Sequence, residues 1–118
     1  MIKVYGIKNC DSVKKALKFF NIHNISYTLI DFKEMPVTCD KIDTWLSQAE
    51  IKILFNARST TYRTLGLKAL NLTDEEKKKW LCKENILIKR PVIEYNNSLI
   101  VGFNSTQYEG VFLPWPKH

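Results

Sequence analysis

Residues 2–32 read IKVYGIKNCDSVKKALKFFNIHNISYTLIDF, and their apolar pattern predicts the fold class. Residues 2–6 form a short apolar run ending at a glycine, which is typical of a buried strand followed by a tight turn. Apolar residues then recur at helical spacing from Val13 to Phe20, and residues 25–32 alternate as a second strand does. A strand, a helix and a strand within about thirty residues make a βαβ unit with parallel strands. The opening therefore predicts an α/β fold.

The middle of the chain has the pattern of helices. Residues 38–49, 51–56 and 73–83 are each predicted to be helical. The first segment begins after Pro36 with a capping residue, Thr38, and the last begins with a capping box, Thr73-Asp74-Glu75-Glu76. Residues 91–95 and 99–103 then flank Asn96-Asn97-Ser98, which predicts a β-hairpin, and a final helix is predicted over residues 105–111. The chain thus predicts a mixed sheet with helices between its two halves.

Length and composition exclude several classes of protein. A chain of 118 residues suits one domain, residues 1–118, and we expect a monomer. No apolar run approaches the roughly 20 residues of a membrane span, and the first residues lack a signal-peptide pattern, so we expect a soluble cytoplasmic protein without a membrane partner. The net charge of +6 attracts anions, but no nucleic-acid-binding motif accompanies it, and we expect no direct nucleic-acid partner.

The cysteines and histidines argue against disulfide and metal frameworks. Cys10, Cys39 and Cys82 are odd in number and widely spaced, which predicts free thiols in a reducing compartment. His23 and His118 do not lie near cysteines at zinc-finger spacing, so no metal site is predicted.

Cys10 occupies the turn before the first predicted helix. Free backbone N–H groups and the helix dipole stabilise a thiolate at such a position, which makes Cys10 the candidate nucleophile. We expect Asp11 or Ser12 to cap this helix. Lys8 and Lys14 add positive potential near the sulfur, while Asp11 opposes it. The alternative is that Cys10 is a small, inert core residue.

Three arginines are candidates for binding an anion. Arg58 and Arg63 lie in the segment NARSTTYR, and Arg90 directly precedes Pro91. A guanidinium group offers a rigid fork of donors that matches oxyanions and carboxylates. Each arginine could equally be a surface or ion-pair residue, but the restriction before a proline fixes the direction of Arg90 more closely.

Four blocks together resemble the ArsC/Spx family, most closely its YffB branch. They are YGIKNCDSVKKA (residues 5–16), NARSTTYR (56–63), IKRPV (88–92) and VGF (101–103), and they occur in the family's order. The resemblance implies a thioredoxin-like mixed sheet, βαβ followed by a C-terminal β-hairpin, with a helical insertion at about residues 38–86.

The same resemblance implies the composition of the site. Cys10 is the single nucleophilic cysteine, and Arg90 stands before a cis-proline, Pro91, in an anion-binding or glutathione-binding wall. Arg58 is the second arginine of that wall, and the loop beside the nucleophile is lined by Lys8 and Asn9.

Two departures from neighbouring patterns narrow the chemistry. Val13 stands where Spx regulators have a second cysteine, so no Cys-x-x-Cys switch can form in the loop. Asp11-Ser12 replaces the small and hydroxyl residues of arsenate reductases, and an acidic neighbour repels an arsenate dianion.

These features predict a glutathione- or thiol-dependent reductase that acts on a small oxyanion or a mixed disulfide. Glutathione is the expected co-substrate, and no tightly bound cofactor is expected. The alternative is an Spx-like regulator that binds an RNA polymerase subunit without catalysis, and a third reading is a domain that has lost its chemistry. Cys39 and Cys82 are expected to be structural, with the resolution of a Cys10 adduct as the alternative role.

Overall fold

The computed structural model describes residues 1–115, which form two compact units. The first unit contains Met1–Asp31 and the described part of Arg90–His118. The second unit is the continuous segment Phe32–Lys89, which contains the predicted helical insertion. The assignment of the chain to a single domain stays a prediction.

The elements follow the predicted order, and several of their ends differ from the predicted bounds by one to three residues. The strands are β1 (Lys3–Gly6), β2 (Thr28–Asp31), β3 (Val92–Tyr95) and β4 (Ser98–Val101). The helices are α1 (Asp11–Ile22), α2 (Cys39–Leu46), α3 (Ile51–Leu54), α4 (Thr60–Thr64), α5 (Asp74–Lys83) and α6 (Ser105–Phe112), with 3₁₀ turns at Leu67–Leu70 and Asn85–Leu87. Sequence patterns missed α4 and both 3₁₀ turns, because segments of three to five residues are too short to show helical periodicity.

The first unit is built on a mixed sheet with the strand order β2-β1-β3-β4. β1 pairs in parallel with β2 and antiparallel with β3, and β3 pairs antiparallel with β4. The hairpin turn has positive φ values of 49° at Asn96 and 60° at Asn97, a backbone region that asparagine tolerates. This arrangement confirms the α/β class and the predicted thioredoxin-like sheet.

An aromatic core supports that sheet. Phe19 and Phe20 of α1 and Tyr108 and Phe112 of α6 are buried, and their rings contact one another edge to face or stacked. The Tyr108 hydroxyl donates a 2.7 Å hydrogen bond to the carbonyl of Gly102. The polar end of this buried ring is therefore satisfied inside the core.

In the second unit, α2 and α5 pack against each other. Thr38 caps α2 by accepting a hydrogen bond from the Lys41 N–H at 3.1 Å, and Thr73 and Glu76 form the predicted capping box of α5. Buried apolar residues of both helices fill the unit: Ile42, Trp45 and Leu81. Two caps read from the sequence are thus confirmed.

A disulfide joins the same two helices, which corrects an expectation from the sequence. Cys39 and Cys82 are bonded at an S–S distance of 2.06 Å, so the prediction of three free cysteines is wrong for this pair. Their separation of 43 residues gives no sign of proximity, but the packing of α2 against α5 brings their Cα atoms to 5.1 Å. Cys10 is free.

Within residues 1–115, every helix falls short of the length and apolar character that a membrane crossing requires. The same residues contain no cluster of three or more His, Cys, Asp or Glu side chains that could hold a metal ion.

Candidate active site around Cys10

Cys10 lies between β1 and α1 and is itself the N-cap residue of the helix. Its N–H donates to the Ile7 carbonyl at 3.3 Å, and its carbonyl accepts from the Lys14 N–H at 2.9 Å. The prediction that Asp11 or Ser12 caps this helix is therefore wrong. The tight turn at Ile7 ends at Cys10, so the helix begins one residue earlier than the polar side chains suggest.

Several groups stabilise the ionised sulfur of Cys10. Burial raises the pKa of the half-buried thiol, but hydrogen bonding from the Val13 N–H opposes this effect most strongly. The Arg90 guanidinium lowers the pKa further through a hydrogen bond and its charge, and the Ser12 N–H adds to them. The net pKa lies below the ordinary thiol value, so the thiolate is favoured at the mouth of α1. Ser12 thus serves the site through its backbone.

The segment that carries Arg90 has the backbone geometry implied by the family resemblance. The Arg90–Pro91 peptide bond is cis, as expected, and the Pro91 carbonyl accepts a 2.7 Å hydrogen bond from the Gly102 N–H. Arg90 is half-buried, and its side chain reaches Cys10. Arg90 is thus close enough to lower the pKa of the Cys10 thiol, and its role in binding an anion stays a prediction.

Sequence analysis identified Gly6 as the end of the first strand, but not as a residue that borders this site. A Cβ atom there would lie 2.7 Å from Val13 Cγ2 and 3.8 Å from Arg90 Cβ. Gly6 thus allows the end of β1 to pass close to Val13 and Arg90. The Val13 N–H and the Arg90 guanidinium both lower the pKa of Cys10. A glycine at the end of a strand before a reactive cysteine was the available signal.

The loop between β1 and α1 places Lys8 and Asn9 at the surface. Both residues are exposed, so their polar side chains are accessible beside Cys10. The Lys8 N–H donates to Asp31 Oδ2 at 3.1 Å, and Asp31 is only 7% exposed. Sequence reasoning missed Asp31, although the ends of adjacent parallel strands meet at one edge of a sheet. This carboxylate holds the loop in place.

Arg58 belongs to the second unit. Its N–H donates to Asn56 Oδ1 at 3.0 Å, in the turn before α4. An open pocket of about 1010 Å³ is lined there by Arg58, Arg63, Lys68 and Tyr62, among others, and no carboxylate of residues 1–115 lines it. The role of Arg58 in binding an anion for Cys10 stays a prediction.

A model of the ArsC family matches residues 5–111 of the chain. The chain belongs to the ArsC family. This match and the relatives below confirm the predicted resemblance to ArsC, Spx and YffB proteins.

Relatives of this ArsC-family chain cover nearly its whole length. An uncharacterised Haemophilus influenzae protein is 42% identical over 95% of this chain and 99% of its own length. The global transcriptional regulator Spx 2 of Lactococcus lactis is 25% identical over 97% of this chain and 87% of its own length.

Solved structures agree with this assignment. The YffB protein matches with a TM-score of 0.86 and 27% identity over 93% of this chain and 97% of its own. An arsenate reductase (ArsC) related protein from Brucella melitensis matches with a TM-score of 0.75 and 34% identity over 95% of this chain and 94% of its own.

Proposed function

We propose that this ArsC-family protein is a thiol-dependent oxidoreductase with Cys10 as its nucleophile and glutathione as its co-substrate. The observation that carries the proposal is the environment of the Cys10 sulfur, which backbone N–H groups of α1 and the Arg90 guanidinium favour as a thiolate. A thiolate, and not a thiol, is the attacking form in disulfide exchange.

The reaction that best suits this site is the reduction of a mixed disulfide. The Cys10 sulfur attacks one sulfur of the substrate, the substrate S–S bond breaks, and one thiolate leaves. A glutathione thiolate then attacks the resulting mixed disulfide, releases Cys10 and carries away the bound half as a new disulfide. Val13 occupies the position of a second loop cysteine, so this step needs an external thiol.

Arsenate is the less favoured substrate. Asp11 is the first residue of α1 and adjoins the nucleophile, and its carboxylate repels an approaching dianion. In either reaction, Arg90 stabilises the Cys10 thiolate and neutralises negative charge on the substrate. Lys8, Asn9 and Arg58 are the further side chains proposed to bind a glutathione carboxylate or an oxyanion.

Two matched variants test the roles of Cys10 and Arg90. Arg90→Ala and Lys89→Ala remove one positive charge from adjacent positions, but Lys89 is exposed. A hydrogen bond to a charged group contributes about 1.5–3 kcal/mol, so Arg90→Ala should reduce kcat/KM for a glutathione mixed disulfide about 10- to 150-fold. Cys10→Ser should abolish turnover, and Lys89→Ala should leave it within about twofold.

Steady-state assays with glutathione and either a mixed disulfide or arsenate provide these values. Activity retained in Cys10→Ser would contradict the proposal. Equal losses of kcat/KM in Arg90→Ala and Lys89→Ala would show that Arg90 has no specific role and contributes only its positive charge.

The Spx relatives support a second candidate, a regulator that binds an RNA polymerase subunit without catalysis. Their similarity extends over 97% of the chain, so it is not confined to one motif. Biolayer interferometry with purified RNA polymerase distinguishes the two functions. If the protein is a regulator, the wild-type protein and the Cys10→Ser variant should bind polymerase with equal affinity. Saturable binding without any reductase activity would favour this candidate.

We propose the cytoplasm as the location of the protein, because the cytosolic glutathione pool is strongly reducing and would supply the co-substrate.

A further inference from the structure

The second unit contains a disulfide that the proposed reaction of Cys10 does not use. The bonded pair Cys39–Cys82 joins the start of α2 to the last turn of α5. Cys39 is exposed, while Cys82 is half-buried. Solvent-borne molecules therefore have access to this pair from the Cys39 side.

Noncovalent contacts hold α2 and α5 together on both sides of the disulfide. Before α2, the Val37 N–H donates to Asn85 Oδ1 at 2.8 Å, and Asn85 Nδ2 donates to the Leu81 carbonyl at 3.0 Å. One helical turn into α2, Asp43 forms an ion pair with Lys78, one turn before Cys82. None of these contacts involves a sulfur atom, so we expect them to keep the two thiols close together after the S–S bond is broken.

The two sulfurs lie in different electrostatic surroundings. Cys39 is the first residue of the eight-residue helix α2, where the helix dipole favours negative charge. Cys82 lies near the C-terminal end of α5, where the dipole disfavours it. Exposure and helix polarity thus both make Cys39 the more reactive thiol of the reduced pair.

We propose that Cys39 and Cys82 form a second thiol–disulfide centre that exchanges two electrons with low-molecular-weight thiols and disulfides, independently of Cys10. Cys39 is its entry residue and Cys82 its resolving residue.

Thiol–disulfide exchange at this pair can run in the oxidising and in the reducing direction. In oxidation, the Cys39 thiolate attacks a small disulfide, the attacked S–S bond breaks, and one small thiolate leaves. The Cys82 thiolate then attacks the Cys39 sulfur, which forms the Cys39–Cys82 bond and releases the second small thiolate. Two protein thiols are oxidised and one small disulfide becomes two thiols. Reduction runs the same steps backwards with two molecules of small thiol.

The test uses full-length protein carrying Cys10→Ser, so that its outcome does not depend on the proposed function of Cys10. The protein is equilibrated under native conditions in mixtures of reduced and oxidised glutathione and quenched with acid. Free thiols are then alkylated, and the mass of the intact protein is measured by mass spectrometry. The pair should open at high reduced glutathione and close again on addition of glutathione disulfide, while far-UV circular dichroism remains that of the folded protein.

Two further variants in this background test the direction of exchange. Cys82→Ser should accumulate one glutathione at Cys39, and this adduct should form about tenfold faster than the adduct at Cys82 in the Cys39→Ser variant, because of thiolate character and access. If Cys82→Ser or Cys39→Ser fails to fold, the glutathione equilibration of the Cys10→Ser protein still tests the proposal. A pair that opens only in denaturant, or equal adduct rates at the two positions, would overturn the proposal.

Discussion

Replacing Gly6 by alanine tests the close packing that supports the Cys10 site. The new Cβ would lie 2.7 Å from Val13 Cγ2, whereas non-bonded carbons prefer separations of about 3.5–4.0 Å. Relief requires a movement of about 1 Å, and the Val13 side chain is fully buried. The φ of Gly6 is not positive, so the cost is steric and not conformational. Overpacking of this kind lowers the free energy of unfolding by about 1–3 kcal/mol.

The substitution should also change the chemistry of the site. Movement of Val13 carries its N–H away from the Cys10 sulfur and weakens the interaction that most lowers the thiol pKa. We therefore expect the pKa of Cys10 to rise and alkylation at neutral pH to slow. Urea unfolding measures the stability loss, and the pH dependence of alkylation measures the pKa.

Gly110→Ala is the matched control. Gly110 lies in α6, and apart from its chain neighbours and the nearby backbone of its own helix, no atom of residues 1–115 would lie within 4 Å of the added Cβ. Alanine there should raise the free energy of unfolding by up to about 0.5–1 kcal/mol through helix propensity, and the pKa of Cys10 should not change.

A double-mutant cycle isolates the responsible contact. Val13→Ala removes the methyl group that the new Cβ would meet, so Gly6→Ala should cost much less in that background. A cost for Gly6→Ala that is unchanged by Val13→Ala, or an absent cost in the wild-type background, would refute the steric explanation.

Because the pKa of Cys10 is lower in the folded than in the unfolded protein, its ionisation adds stability above the unfolded value of about 8.5, and this contribution is lost as the pH falls through the folded pKa. The urea-derived stability of wild type relative to Cys10→Ser should therefore grow as pH rises from about 6 to about 9, and a constant difference would contradict the shift. Tyr108→Phe leaves the buried Gly102 carbonyl without its donor and should cost about 1–2 kcal/mol in urea unfolding; no loss would assign that carbonyl another partner. Reducing Cys39–Cys82 opens a 43-residue loop and should lower the free energy of unfolding by about 4 kcal/mol, which unfolding with and without reductant checks; a loss below about 1 kcal/mol would mean that the crosslink constrains the unfolded chain little.

Sequence patterns correctly predicted the strands, turns and helix caps that depend on residues close together in the chain. The alternation of residues 25–32, the turn at Asn96 and Asn97, and the caps at Thr38 and Thr73 each depend on neighbouring residues. The structure has β2, the β3–β4 hairpin, α2 and α5 at these places. Boundaries shifted where the chain turns, as at Cys10, because a backbone turn and not a polar side chain sets the start of α1.

Contacts between distant segments were harder to predict. The pairing of Cys10 with Arg90 came from resemblance to a family, because no spacing rule brings these residues together. The Cys39–Cys82 bond and the close approach at Gly6 arise from how helices and strands pack, which periodicity does not specify. The short turn at Leu67–Leu70 is bounded by left-handed residues, Gly66 and Asn71, and lacks any repeating apolar pattern.

The discontinuity of the first unit has a consequence for biosynthesis. β1 leaves the ribosome before the segment Phe32–Lys89, whereas its antiparallel neighbour β3 follows that segment in the chain. The segment Phe32–Lys89 is complete before β3 emerges, and it forms a compact unit with its own internal contacts. Helices with local contacts form quickly, whereas distant strand pairing is slow. The helical segment can therefore assemble on the nascent chain while β1 awaits its central partner.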